Sequence, residues 1–161
     1  MPKDRVTVVV PPVVTALYEA VRAQLPPEGD DVGVRVTVGP DTSKKFARRA
    51  VALAATWDED LDPVSVERVE RGARPLVVET ITVSCSAMAG GSRASDRDFP
   101  EWRDEVGELL AGIDRALRAD VMTSAAARSR RGFTRWVSWY DKSGGGTAMV
   151  ADFVIEITTL S

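Results

Sequence analysis

The chain has no histidine, and its 161 residues contain one cysteine, Cys85. The first absence removes the usual general base and the commonest zinc ligand together. The second excludes an intramolecular disulfide, so nothing points to an oxidising compartment. A large excess of one charge is also missing. The balance of 21 Lys and Arg against 24 Asp and Glu leaves a net charge of -3, so bulk electrostatics do not make a strongly basic nucleic-acid binder. Long apolar runs are absent too. Residues 6–14 are apolar, but Pro11 and Pro12 interrupt them. The run is too short and too β-branched to span a membrane and lacks a signal-peptide cleavage pattern. Folding in a cytoplasm, away from membranes, is expected.

What remains is ordinary for a globular domain: 44% apolar and 28% charged residues. One domain over 1–161 is expected, long enough to bury a core without disulfides or metals, with 1–11 as an N-terminal extension. Residues 6–10 read as a short extended segment. Pro11 and Pro12 stop it and open a helix, since proline is tolerated in the first turn. Val14, Leu17, Tyr18, Val21 and Leu25 then recur at helical spacing until Pro26 and Pro27. Val32, Val34, Val36 and Val38 alternate with small or polar residues, as in a half-buried strand. Residues 46–57 fit a helical stripe and a strand face equally well on periodicity. Val64, Val66 and Val69 suggest another short strand.

The clearest alternation lies in 76–88. Val77, Ile81, Val83, Cys85 and Ala87 form one face, and Thr80, Thr82, Ser84 and Ser86 the other. A turn at Gly90 and Gly91 and a flexible loop to Arg97 lead to a second helix, 100–119. Its stripe is Trp102, Val106, Leu109, Leu110, Ile113 and Leu117. Gly107 and Gly112 each cost roughly 1 kcal/mol there against alanine, which suggests close approach to another backbone. Residues 123–132 read as a linker. Residues 133–141 and 147–160 read as a terminal hairpin, with the triple glycine at its tip. The expected fold is α+β: a mixed, mostly antiparallel sheet with two main helices packed on one face.

No catalytic, cofactor-binding or metal-binding residue is expected, and no enzyme. Without histidine, Cys85 on an apolar strand face reads as inert burial. Asp58, Glu59, Asp60 and Asp62 are dense enough to hint at calcium but lack the EF-hand pattern. They read as a solvated or partner-facing loop. Arg128, Arg130, Arg131 and Arg135 leave three options open: a solvated loop, a protein interface, or phosphate contact. Trp136 and Trp139 fall on opposite faces of one strand, so at least one lies outside the main core and is a candidate interface aromatic. Asp58, Glu59, Asp60, Asp62, Arg128, Arg130, Arg131, Trp136 and Trp139 are therefore the candidate interface set.

Taken in order, these segments resemble the tail terminator proteins of long-tailed (siphovirus-type) bacteriophages, especially those infecting actinobacteria. The helix VVTALYEAVRAQLP is followed by the strand VGVRVTVGP, and later by the strand VVETITVSCSAMAGG. Then come the helix WRDEVGELLAGIDRALRAD, the strand RWVSWY and the terminal strand AMVADFVIEITTL. The resemblance covers nearly the whole chain by order and spacing, without a catalytic signature. The chain departs from smaller members in its segment 2–12 and in the charged excursion 56–72. The resemblance implies a tail-terminator-like α+β domain that forms a homo-oligomer, a hexameric ring. The ring would cap the tail tube protein, end tube polymerisation and give a docking surface for the head–tail connector (stopper) protein. Genomic DNA would pass through the lumen without being read. The place implied is the virion neck, after assembly in the host cytoplasm. It also implies that 48–57 is a strand. Other head–tail connector components, stopper or head-completion proteins, are the alternative, followed by a small-ligand-binding α+β domain.

Overall fold

A computed structural model describes residues 2–29, 33–39, 47–55, 62–72, 76–91, 99–118, 125–130, 134–139 and 146–160. Helix α1 spans Pro2–Gln24 and helix α2 spans Phe99–Arg118. The strands are β1 Arg35–Val38, β2 Arg49–Leu53, β3 Val64–Arg71, β4 Leu76–Gly91, β5 Ala125–Arg130, β6 Thr134–Trp139 and β7 Gly146–Leu160. They form one seven-stranded sheet. The fold is α+β, as its residue patterns require.

The sheet is organised around a ribbon of its two longest strands. β4 has 16 residues and β7 has 15, and they pair antiparallel from Val78 opposite Leu160 to Gly91 opposite Thr147. Each outer edge of the ribbon carries two short strands laid end to end. β2 and β3 both pair antiparallel with β4, and β5 and β6 both pair antiparallel with β7. β1 adds to β2 in parallel, the only parallel pair of named strands. The sheet is therefore mixed but mostly antiparallel.

Alternation fixes which face of the ribbon is the core. Ile81, Val83, Cys85, Ala87 and Ala89 of β4 stand opposite Ile157, Ile155, Phe153, Ala151 and Met149 of β7, and all ten are buried. Directly opposed residues point to the same side of a pleated sheet. α2 covers this side with Trp102, Val106, Leu109, Ile113 and Ala116, α1 adds Val14, Leu17 and Val21, and Leu25 just beyond α1 joins the same cluster. Fully burying a Leu, Ile, Val or Phe is worth about 1.5–3 kcal/mol, so this cluster dominates the stability.

Four expectations need correction. Helix α1 begins at Pro2, so residues 2–10 are helical and not extended. Proline's fixed φ is compatible with a helix. Pro11 and Pro12 remove donors to the carbonyls of Thr7 and Val8 without ending the helical path. Gly90 and Gly91 lie within β4 and pair with Ala148 and Thr147, so they do not form a turn. The Gly90 N–H also donates to the Arg48 carbonyl at 2.9 Å. Residues 125–130 form β5 rather than linker, because β7 offers a free edge to them. Finally, Ser84 and Ser86 are buried, at 3% and 6% exposure, so the hydroxyl face of β4 is not open at its centre. Thr80 and Thr82 are half-buried. Within the ambiguous stretch 46–57, Arg49–Leu53 is strand.

The two helical glycines separate cleanly. A Cβ on Gly112 would lie 2.5 Å from Leu25 Cδ2, where α1 ends against α2. A Cβ on Gly107 would meet nothing within 4 Å. Only Gly112 reflects a close approach, and its neighbour is a core side chain rather than backbone. Gly107→Ala is expected to stabilise the protein by about 1 kcal/mol through helix propensity. Gly112→Ala is expected to forfeit that gain, because Leu25 must move out of its core position. Urea unfolding of the two variants checks the difference; equal gains would show that the α1–α2 contact is loose.

Candidate functional site

The two rows flanking the ribbon are interrupted at the same level. On one side β2 ends with Leu53 opposite Cys85, and β3 starts with Val64 opposite Val83. Between them the Ser84 N–H donates to the Pro63 carbonyl at 3.0 Å. Ala54 leaves β2 with a left-handed φ of 58°, a conformation costly for a residue with a Cβ. On the other side β5 ends with Arg130 opposite Val154, and β6 starts with Thr134 opposite Ala151. The β7 positions between are Asp152 and Phe153, which face Ser86 and Cys85. On both flanks the described strands thus break at one level, between Leu53 and Val64 on one side and between Arg130 and Thr134 on the other.

This arrangement locates the candidate interface residues. Asp62 is exposed and immediately precedes Pro63. Asp58, Glu59, Asp60 and Arg131 lie outside the described residues. Arg128 and Arg130 sit on β5 opposite Glu156 and Val154. Trp136 and Trp139 sit on β6 opposite Met149 and Gly146. Register therefore puts the Trp136 position on the core face of the sheet and the Trp139 position on the other. Asp62 and β5 are not brought together within one chain. Three strand spacings, about 14 Å, separate the two flanking rows.

A second charged cluster escaped the sequence reading. Arg49, at the start of β2, places its guanidinium 2.7 Å from Glu105 Oε1 and 3.5 Å from Glu108 Oε2. Arg48 reaches Glu105 at 3.1 Å and Glu101 at 3.6 Å. Glu101, Glu105 and Glu108 lie on one side of α2, at the i, i+4, i+7 spacing of a helical stripe. The Glu105 side chain is only 7% exposed and that of Arg49 13%. Among the described residues Glu105 Oε2 and Arg49 Nε find no hydrogen-bond partner. The available signal was the acidic spacing on α2 together with paired arginines beginning a strand. Their separation of 56 residues hid the pairing. The cluster fastens α2 across the end of β2, and it sets no nucleophile beside a base.

Cys85 is fully buried on the core face, and its thiol donates to the Val83 carbonyl at 3.5 Å. Burial pushes its pKa from 9.0 up to about 12, against a smaller opposing effect from a backbone hydrogen bond at Ala54. Such a thiol stays protonated and unreactive. Where α1 gives way to β1, one cleft is lined by Arg22, Leu25, Pro26, Pro27, Glu28, Val34 and Val36. Its volume is about 120 Å³, below the roughly 300 Å³ at which small-molecule sites begin. Among the described residues no three acidic or cysteine side chains gather as metal ligands. Among the described residues no helix is long and apolar enough to cross a membrane.

Two measurements test these assignments. Glu105→Ala leaves Arg49 only the longer, solvent-exposed contact to Glu108 and is expected to cost about 2 kcal/mol, whereas an Arg49→Met, Glu105→Leu double variant recovers most of it. A denaturant double-mutant cycle reads the coupling. For Cys85 the folded pKa lies above the unfolded one. Its contribution is therefore complete below pH 9 and is lost as pH climbs towards 12. The stability difference between the native chain and Cys85→Ala should be flat up to pH 9 and shift against the native chain above it. The native thiol should also resist alkylation until the protein unfolds. No protein-family model matches the chain, and no curated protein matches it.

Proposed function

We propose that the chain is a tail terminator of a long-tailed bacteriophage. Copies would form a ring, in number a hexamer, that caps the tail tube, ends its polymerisation and presents a surface to the head–tail connector. DNA would pass through the lumen. The net charge of -3 is compatible with that role, since an acidic wall keeps a polyanion from adhering.

The observation that carries this reading is the pair of unlike flanks on one sheet. Among the described residues β5 and β6 pair only with β7, β3 pairs only with β4, and β1 pairs only with β2. One flank presents the arginine-bearing row β5–β6, and the other presents β1, β3 and the exposed Asp62. A closed ring needs two different, complementary surfaces on opposite sides of each copy. The element order gives further support. Helices α1 and α2 and strands β1, β4, β6 and β7 overlap the segments on which the resemblance rests, in the same order. Among the described residues no further strand pairs with either flank.

Sedimentation of the purified protein, alone and with isolated tail tubes, tests the proposal. The expected outcome is a hexamer, or a monomer that becomes hexameric on tube ends. A chain that stays monomeric and never binds tube ends would defeat the reading.

A further inference from the structure

We infer that neighbouring copies join by strand addition: β6 of one copy pairs antiparallel with β1 of the next. This deepens the ring reading and rests on its head-to-tail arrangement of copies.

Strand direction comes first. With β4 taken as running up, β2 runs down because it is antiparallel to β4, and β1 runs down with it. β7 also runs down, and β6 therefore runs up. Two copies set side by side in the same orientation thus present an upward β6 to a downward β1. That is the direction of an antiparallel pair, whose hydrogen bonds lie straight across. The levels set the offset. Arg35 of β1 is aligned through Ala50, Met88 and Val150 with Arg135 of β6, and Val36 with Thr134, so the two edges share only two levels and copies with no offset would oppose two arginines. An offset of four residues, about 13 Å along the strands, as tilted strands in a closed ring permit, brings the whole of β1 beside β6.

Composition comes second. Val38, 51% exposed, is the one large apolar side chain that the described residues leave in solvent. It lies on the outermost strand of its flank, within a run, Arg35–Val38, that contains no proline or lysine to deter pairing. The facing strand TRWVSW is rich in the aromatic and β-branched residues that favour cross-strand pairs. Val38 is on the core-face side through its register with Leu53, and Trp136 is on that side through Met149. A register with Val38 opposite Trp136 keeps both on one face and brings Thr37 opposite Val137. The same placement carries Arg128 and Arg130 of β5 towards the neighbour's β3 flank, where Asp62, Glu67 and Glu70 are exposed. Charges then match where the strands do not pair. The occupant of each edge is a second copy of this chain.

The test uses cysteine pairs, since Cys85 is buried and does not compete. Val38→Cys protein mixed with Trp136→Cys protein is expected to give a disulfide-linked dimer on mild oxidation, and neither alone should. The double variant should give a ladder that ends at the ring. Val38→Glu, at an exposed position, should keep its circular dichroism and melting temperature while the assembled fraction falls on the order of tenfold. Rings that form in sedimentation with no cross-link, and that Val38→Glu leaves intact, would overturn the strand pairing and leave the ring reading standing. A cross-linked ladder from a protein that never binds tube ends would uphold the pairing and defeat the tail role. Monomers that never cross-link, with or without tubes, would overturn the pairing.

Discussion

Everything else in this fold depends on the antiparallel register between β4 and β7. It runs unbroken from Val78–Leu160 to Gly91–Thr147. Because side chains alternate, a slip of one residue would turn Ile81, Val83 and Cys85 away from α2 and bring Thr82 and Ser84 towards it. The ten buried residues on the core face of the ribbon hold that register against slippage. The flanking strands are individually short, β2 with five residues and β5 with six. Each is positioned by the ribbon edge it meets, not by its own propensity.

That dependence explains which parts were legible beforehand. β4, α2 and β7 have strong periodicity, and the residues named from it are the core: Ile81, Val83, Cys85, Val106, Leu109, Ile113. β5 was missed because Ala125–Arg130, AAARSR, has neither alternation nor β-branched residues; only the free edge of β7 makes it a strand. Gly90 and Gly91 signalled a turn, yet fourteen consecutive paired positions carry the strand through them. In α1, Pro11 and Pro12 read as a boundary because proline's missing donor is visible in sequence, whereas its tolerance of helical φ depends on context. Of the candidate interface, the sequence supplied charges and aromatics but not their sides. Opposite flanks follow from strand order, which a single sequence does not encode locally.

The Arg48–Arg49 cluster joins these levels. β2 shares its outer position with β1, and β1 holds the edge proposed to meet a neighbour. A strand of five residues carrying a four-residue partner would gain little from backbone pairing alone. Arg49 ties the start of β2 to Glu105, a residue on the margin of the α2 stripe beside Trp102 and Val106. The outer strands are thereby held to the helix layer as well as to β4. A buried ion pair with two unpartnered atoms adds little net stability, because desolvation opposes the attraction. Its value is positional: charge pairing is directional and fixes where β2, and with it β1, begins.

Open edges invite indiscriminate pairing, and three of the four exposed strands are guarded. β3 alternates charge through Glu67, Arg68 and Glu70, β5 carries two arginines, and β6 carries Arg135. Charges on an edge tolerate a matched partner and repel an unmatched one. β1 also carries Arg35, but that charge is paired within the chain with Glu28 at 2.7 Å, so β1 is guarded mainly by its brevity, and Val38 stands exposed upon it. An edge too short to pair stably by itself, with one apolar contact to bury, forms a lasting junction only when the rest of the flank agrees. In a ring each junction is supported by its neighbours around the circle, so weak and selective contacts suffice. The same weakness keeps single copies apart before they meet a template.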